Sequence, residues 1–125
     1  MKTIILDTNF LLAITELRLD VFTEIDRACD VPYQLCILDR TKEELETFIK
    51  GPSLSKRRAS LMALQLLDKK RVQVLKTQGS QHVDDILATQ KNAIIATVDR
   101  ALRKRLQAQK IPVLTIRQKK YIVRE

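Results

Sequence analysis

This chain is poor in the residues that build special architectures. Two cysteines, Cys29 and Cys36, are too few for a disulfide scaffold or a cysteine-based metal framework. They read instead as buried small hydrophobes. Two glycines and three prolines among 125 residues leave no room for low-complexity or linker segments, and no internal repeat is visible. A single histidine, His82, rules out chemistry that needs a pair of imidazoles, and a lone one reads as a surface or helix-start residue. No uninterrupted apolar run reaches membrane-spanning length. The opening Met1-Lys2-Thr3-Ile4-Ile5-Leu6 resembles the start of a signal peptide, but Asp7 and Asn9 break the run early. The expectation is a cytoplasmic protein without a membrane partner.

What is present is an ordinary globular share of apolar residues, 45%, in a length that suits one domain with a sizeable core. The formal net charge of +8 is distributed unevenly. Residues 1–99 hold 14 Lys/Arg and 14 Asp/Glu, which cancel, whereas residues 100–125 hold nine Lys/Arg against Glu125 alone. A basic end of this kind suits a polyanion partner; a solvated basic surface is the plainer reading.

Short apolar runs rich in β-branched residues alternate with helical patterns. Thr3–Leu6, Gln34–Leu38, Val72–Leu75, Ala93–Thr97 and Pro112–Ile116 read as strands. Helices are expected after Thr8 or Asn9, after Asp20 and up to Pro32, from Thr41 (a capping box with Glu44), from Ser53 or Ser55 to Lys70, from His82 to about Lys91, and from Asp99. Thr77-Gln78-Gly79-Ser80 reads as a loop. The stretch Ala59 to Leu67 is apolar on nearly every side, which predicts burial on more than one face, in the core or at a homodimer contact. Such alternation argues for α/β architecture with a parallel sheet covered on both faces.

Acidic residues stand past the ends of the predicted strands: Asp7, then Glu43-Glu44, then Asp84-Asp85, then Asp99. A parallel sheet gathers its strand ends at one edge, where open α/β folds bind ligands. Each acid alone reads equally well as a helix N-cap. Four at successive strand ends point to a pocket of carboxylates, whose mutual repulsion a divalent cation relieves.

The motifs Ile5-Leu6-Asp7-Thr8-Asn9, Glu44-Leu45, Asp84-Asp85-Ile86-Leu87 and Ala96-Thr97-Val98-Asp99, in this order and at these distances, resemble the PIN-domain nucleases over essentially the whole chain. Thr97 to Leu106, Ile111-Pro112-Val113 and Arg117-Gln118-Lys119-Lys120-Tyr121 are similar to the branch related to the small-subunit rRNA-processing endonucleases, in its short archaeal-type form. The resemblance implies a three-layer α/β/α sandwich around a parallel sheet of order 3-2-1-4-5, with residues 1–116 as the nuclease domain and 117–125 as a basic tail or edge strand of it. It implies an endoribonuclease using Mg2+ or Mn2+, with Asp7, Glu44, Asp84 and Asp99 as catalytic and metal-binding acids. Glu43 and Asp85 are alternatives one position away. Thr8 and Asn9 match the positions that orient the first aspartate, Thr97 matches a small hydroxyl beside the fourth, and Asn9 and Thr97 would also contact substrate. Arg100, Arg103, Lys104, Lys119 and Lys120 would hold RNA phosphates, and Tyr121 would stack on a base. Lys56-Arg57-Arg58 and Lys69-Lys70-Arg71 read as solubility or helix-end charges. The implied partner is RNA, an rRNA precursor handled with ribosome-assembly proteins. The alternatives are a ribonuclease toxin paired with an antitoxin, and an RNA-binding scaffold with little activity. A haloacid-dehalogenase-like phosphatase is disfavoured, because position 9 is asparagine where a second aspartate is needed.

Overall fold

The structure is a computed structural model that describes residues 1–77, 79, 81–90 and 92–125. Gln78 and Ser80 of the expected loop, and Lys91 at the expected helix end, lie outside the described residues. Among the described residues the chain runs β1 (Lys2–Leu6), α1 (Thr8–Glu16), α2 (Val21–Ala28), β2 (Tyr33–Leu38), α3 (Asp39–Lys50), α4 (Leu54–Lys69), β3 (Gln73–Leu75), α5 (Val83–Leu87), β4 (Ala93–Ala96), α6 (Arg100–Ala108), β5 (Val113–Arg117) and β6 (Tyr121–Arg124). The strands form one sheet of order β3-β2-β1-β4-β5-β6. The first five are parallel, as expected, and β6 adds an antiparallel edge through a tight turn. Gln118 and Lys119 in that turn take φ of 54° and 57°.

β1 sits at the centre because it is apolar on both faces: Ile4, Ile5 and Leu6 are all buried. Its alternation divides the core into two layers. Ile4 and Leu6, with Leu35, Ile37, Ile94 and Ala96, pack against Phe10, Leu11 and Ile14 of α1, Ile25 of α2, Leu45 of α3 and Ala63 of α4. Ile5, with Cys36, Leu38, Ile95 and Val113, packs on the other side against Leu87 of α5 and Leu102 and Leu106 of α6. The result is the expected α/β/α sandwich. Both cysteines are free and buried. No helix among the described residues is long and apolar enough to cross a membrane.

Several local expectations are corrected. The first helix is capped by Asp7, whose carboxylate accepts from Thr8 N at 2.9 Å, and not by Thr8 or Asn9. Asp20, Ser53 and Asp99 cap α2, α4 and α6 as read. Helix α2 stops at Ala28, before Pro32. The Thr41–Glu44 capping box does not form: α3 begins earlier, at Asp39, and Thr41 is a buried helical residue. Asp39 is the reason. Its carboxylate accepts from Arg40 N (2.8 Å), Thr77 N (3.1 Å) and Thr77 Oγ1 (2.7 Å), pinning the chain after β3 to the start of α3. Helix α5 ends at Leu87, where the Thr89 hydroxyl and the Gln90 amide both donate to the Ile86 carbonyl and compete with the next helical turn. Helix α4 buries one face through Ala59, Ser60, Ala63 and Leu67, whereas Leu54, Leu61 and Met62 stay about half exposed.

Candidate metal and phosphodiester site

Registers β1–β4 and β4–β5 align Leu6 with Ala96 and Ala96 with Leu114, so the carboxyl ends of the central strands meet at one level. Asp7 is the first residue past that level. Its N–H donates to the Ala96 carbonyl at 2.8 Å, which extends the ladder by one rung and buries the carboxylate to 8% exposure. One oxygen accepts from Thr8 N, the other from Thr97 Oγ1 at 2.9 Å. Burial pushes the Asp7 carboxyl up to about 6 against the pull of these two hydrogen bonds, and the charges of Asp84 and Glu44 push the same way.

Asp7, Glu44 and Asp84 line one hollow of about 410 Å3, together with Asn9, Phe48 and Lys56. Glu44 is in the second turn of α3 and accepts from Thr8 Oγ1 at 3.2 Å. Thr8 thus joins the two acids: its backbone serves Asp7 and its hydroxyl serves Glu44 or Thr41. Glu43 does not line this hollow; it lines a neighbouring one beside Arg40, Thr47 and Phe48, which Glu44 borders as well. The second ambiguous pair is separated by its partners. Asp84 faces Asp7, whereas Asp85 forms an ion pair with Arg105 at 2.7 Å. Asp99, the fourth predicted acid, does not line this hollow and connects to it only through Thr97. Its N–H donates to Thr97 Oγ1 at 3.2 Å, and its carboxylate caps α6 through Leu102 N at 3.0 Å. Asn9 Oδ1 accepts from Val98 N at 3.2 Å and lies the same distance from Thr97 Oγ1, so it ties the start of α1 to the end of β4.

The predicted phosphate holders are less uniform. Arg100 and Lys104 are exposed on α6. Arg103 is occupied by Glu125 at 3.0 Å, which also accepts from Arg117 at 2.9 Å. Lys119 and Lys120 form the turn after β5, which continues three residues past the Leu114 level on the same edge as Asp7. Tyr121 is exposed at that turn, with the Arg27 guanidinium 5.3 Å from its ring centre. His82 precedes α5 as an exposed residue without a side-chain cap bond.

Two residues at or near the site were read differently from the sequence. Asp39, directly after β2, holds the position that Asp7 holds after β1, but its two bonds from Thr77 make it a structural anchor. Lys56, read as a helix-end charge, lines the acidic hollow. Only the Gly51-Pro52 turn, which folds α4 back beside α3, would have hinted at that.

The donor set is the test of whether a divalent cation suits the site. Oxygen donors from carboxylates are what Mg2+ and Mn2+ take, and the raised Asp7 carboxyl marks a place where negative charge is under-compensated. Among the described residues, no three acidic, histidine or cysteine side chains stand together as a ready-made cage. Mg2+ ordinarily keeps several waters and takes one or two carboxylates, so the residues fit an ion of that kind.

Comparison with known proteins agrees with this architecture. Residues 4–119 match the family described as PIN like domain. The chain is 32% identical to the ribonuclease VapC4 of Methanocaldococcus jannaschii over 124 residues, 97% of this chain and 95% of that one. Its fold superposes on the PIN domain endonuclease Utp24 with a TM-score of 0.78 and 26% identity, covering 98% of this chain and 90% of the other. A domain of a functionally unknown protein from M. jannaschii shares the fold alone, at TM-score 0.60 and 16% identity over 94% and 92% of the two chains. With an acid pocket at the carboxyl edge of a 3-2-1-4-5 parallel sheet, and a family match across nearly its whole length, this chain belongs to the PIN-like domain family.

Proposed function

We propose that this chain is an endoribonuclease that hydrolyses RNA phosphodiester bonds with Mg2+ or Mn2+, acting on ribosomal RNA precursors. The observation that carries the reading is the convergence of Asp7, Glu44 and Asp84 on one hollow, with Asp7 buried and pinned from both sides. Asp7 and Asp84 would hold the ion, with Glu44 and Asp99 assisting directly or through water. When bound, the ion neutralises phosphate charge and acidifies a water, so that no histidine base is needed. The chain's own residues do the positioning. Thr97 and the Thr8 amide fix both oxygens of Asp7, and Thr8 Oγ1 steadies Glu44. Asn9 keeps the β4 end in place. Arg100 and Lys104 on α6, and Lys119 and Lys120 at the hairpin, offer phosphate contacts on the same edge, and Tyr121 a stacking face. The precursor-rRNA target rests on the resemblance carried by Thr97 to Leu106, Ile111-Pro112-Val113 and Arg117 to Tyr121; the structural likeness to the endonuclease Utp24 supports the endonuclease part of the reading.

A second reading has its own support. Likeness to VapC4 across nearly the full length favours a ribonuclease toxin held by an antitoxin, for which the half-exposed Leu54, Leu61 and Met62 of α4 provide apolar surface; a second copy of the chain would use the same face.

The test pairs wild type with Asp7→Asn on labelled structured and single-stranded RNA, in Mg2+, Mn2+ or EDTA. Cleavage that EDTA and the substitution both abolish is the expected result. Tight, salt-sensitive binding without cleavage would move the chain to the scaffold reading. Growth arrest on expression, relieved by Asp7→Asn, would favour the toxin over the rRNA-processing role.

A further inference from the structure

An acidic hollow that must receive a phosphate needs a cation of its own, and most cations near this one are occupied. Arg105 pairs with Asp85, and Arg103 with Glu125. Arg40 donates to the carbonyls of Gly79 and Gln81. Arg57, next to Lys56, donates to the Gly51 carbonyl at 2.9 Å. Lys56 alone among the basic residues lines the hollow that Asp7, Glu44 and Asp84 share, and it pairs with no carboxylate among the described residues. Its ammonium lies 4.9 Å from the centre of the Phe48 ring. Phe48 stands one helical turn after Glu44, on the same face of α3. A cation over a ring face is attracted only weakly at an exposed site, and its N–H donors stay free. The ring therefore positions the charge without consuming it. The backbone fixes the other end of the side chain: Lys56 N donates to the Ser53 cap at 3.2 Å in the first turn of α4.

We propose that Lys56 holds the scissile phosphate of the RNA at the acidic hollow and stabilises the charge that develops on it, with Phe48 as its positioning residue. This rests on the endoribonuclease reading and adds a residue to its machinery. Charge grows on the phosphoryl and leaving oxygens during displacement, and a pre-placed cation in a partly enclosed site acts where that charge appears. A lysine is a point charge with three rotatable donors, which suits a phosphate whose geometry changes during the reaction.

The experiment compares Lys56→Gln, Lys56→Arg, Phe48→Leu, the Lys56→Gln/Phe48→Leu pair and, as a control, Lys69→Gln at the far end of α4. Steady-state cleavage of one labelled RNA in Mg2+ is read with thermal stability. Lys56→Gln is expected to lower kcat/KM roughly 10²-fold, mostly in kcat, with unchanged melting. Lys56→Arg should restore part of it, and Lys69→Gln should match wild type. Phe48→Leu should reduce kcat/KM in the wild-type background but add little to Lys56→Gln, which a merely structural role would not produce. Wild-type cleavage by Lys56→Gln, with Asp7→Asn inactive, overturns the proposal and leaves the nuclease reading standing. If wild type itself does not cleave, binding decides: Asp7→Asn and Asp7→Asn/Lys56→Gln are compared on a single-stranded RNA oligonucleotide across a salt series. Weaker binding of the double variant, with a salt slope smaller by about 1, supports the phosphate contact, and identical binding overturns it.

Discussion

Asp7 is held in a state that costs the fold stability when it is ionised. Its carboxyl is raised from 3.8 to about 6, chiefly by burial. The folded chain therefore binds a proton more tightly than the unfolded one, and stability is highest below about pH 4 for this group and falls as pH rises to about 6. The full loss at neutral pH is on the order of 3 kcal/mol. Asp7→Asn should accordingly unfold at a higher urea concentration than wild type at pH 7.5, with the difference shrinking toward pH 4. Added Mg2+ should stabilise wild type and not the variant. A wild type no less stable than Asp7→Asn at pH 7.5 would contradict this account. Thr97 is fully buried and spends its hydroxyl on Asp7. Thr97→Val should lose about 1–2 kcal/mol of stability and most of the cleavage activity, and Thr97→Ser should retain both, as urea unfolding and RNA cleavage would report.

Elements were legible where their signal is local. Five strands are short apolar runs, and Asp20, Ser53 and Asp99 are caps whose partners lie three residues on, so reading along the chain finds them. The start of α3 was not legible, because the bond that sets it comes from Thr77, 38 positions away. Helix α5 is shorter than its sequence pattern because Thr89 and Gln90 turn their side chains back on Ile86. The three acids in the hollow could be picked from their motifs, but the choices of Glu44 over Glu43 and Asp84 over Asp85 as its lining needed Thr8 and Arg105, both distant in sequence. Lys56 was invisible for the same reason. The Asp39 anchor yields a prediction at this scale. Asp39→Ala should expose the segment after β3 to faster amide exchange at Thr77 and lower the stability of the fold. The Thr77 bonds hold the Asp39 carboxyl below its usual range, so its contribution is present above the unfolded carboxylate pKa and fades as pH falls below it.

Across the whole molecule, charge is arranged by topology. The chain's net positive charge lies in α6, β5 and β6, on one flank of the sheet, and the acids gather near its centre. RNA would then be held beside the acids by one flank. Lys119→Gln/Lys120→Gln should weaken RNA binding and flatten its salt dependence by about 1–2 in log–log slope, because both lysines are exposed at the hairpin and form no ion pair among the described residues. Arg103→Gln should instead lower stability, by releasing Glu125 from α6, and change the salt slope little. Filter binding across a salt series, paired with thermal unfolding, separates the two outcomes.

The hydrogen bond that sets Asp7 joins it to a residue 90 positions away. A chain made at roughly 5–20 residues per second has its first aspartate for on the order of ten seconds before Thr97 exists to orient it. Pairing β1 with β4 also closes a large loop, a slow step in folding. The activity proposed here therefore has a built-in delay: a nascent or truncated product carries the motif Asp7-Thr8-Asn9 but no assembled centre, and the RNA around the ribosome that makes it is spared until Thr97 has been made and β4 has paired with β1.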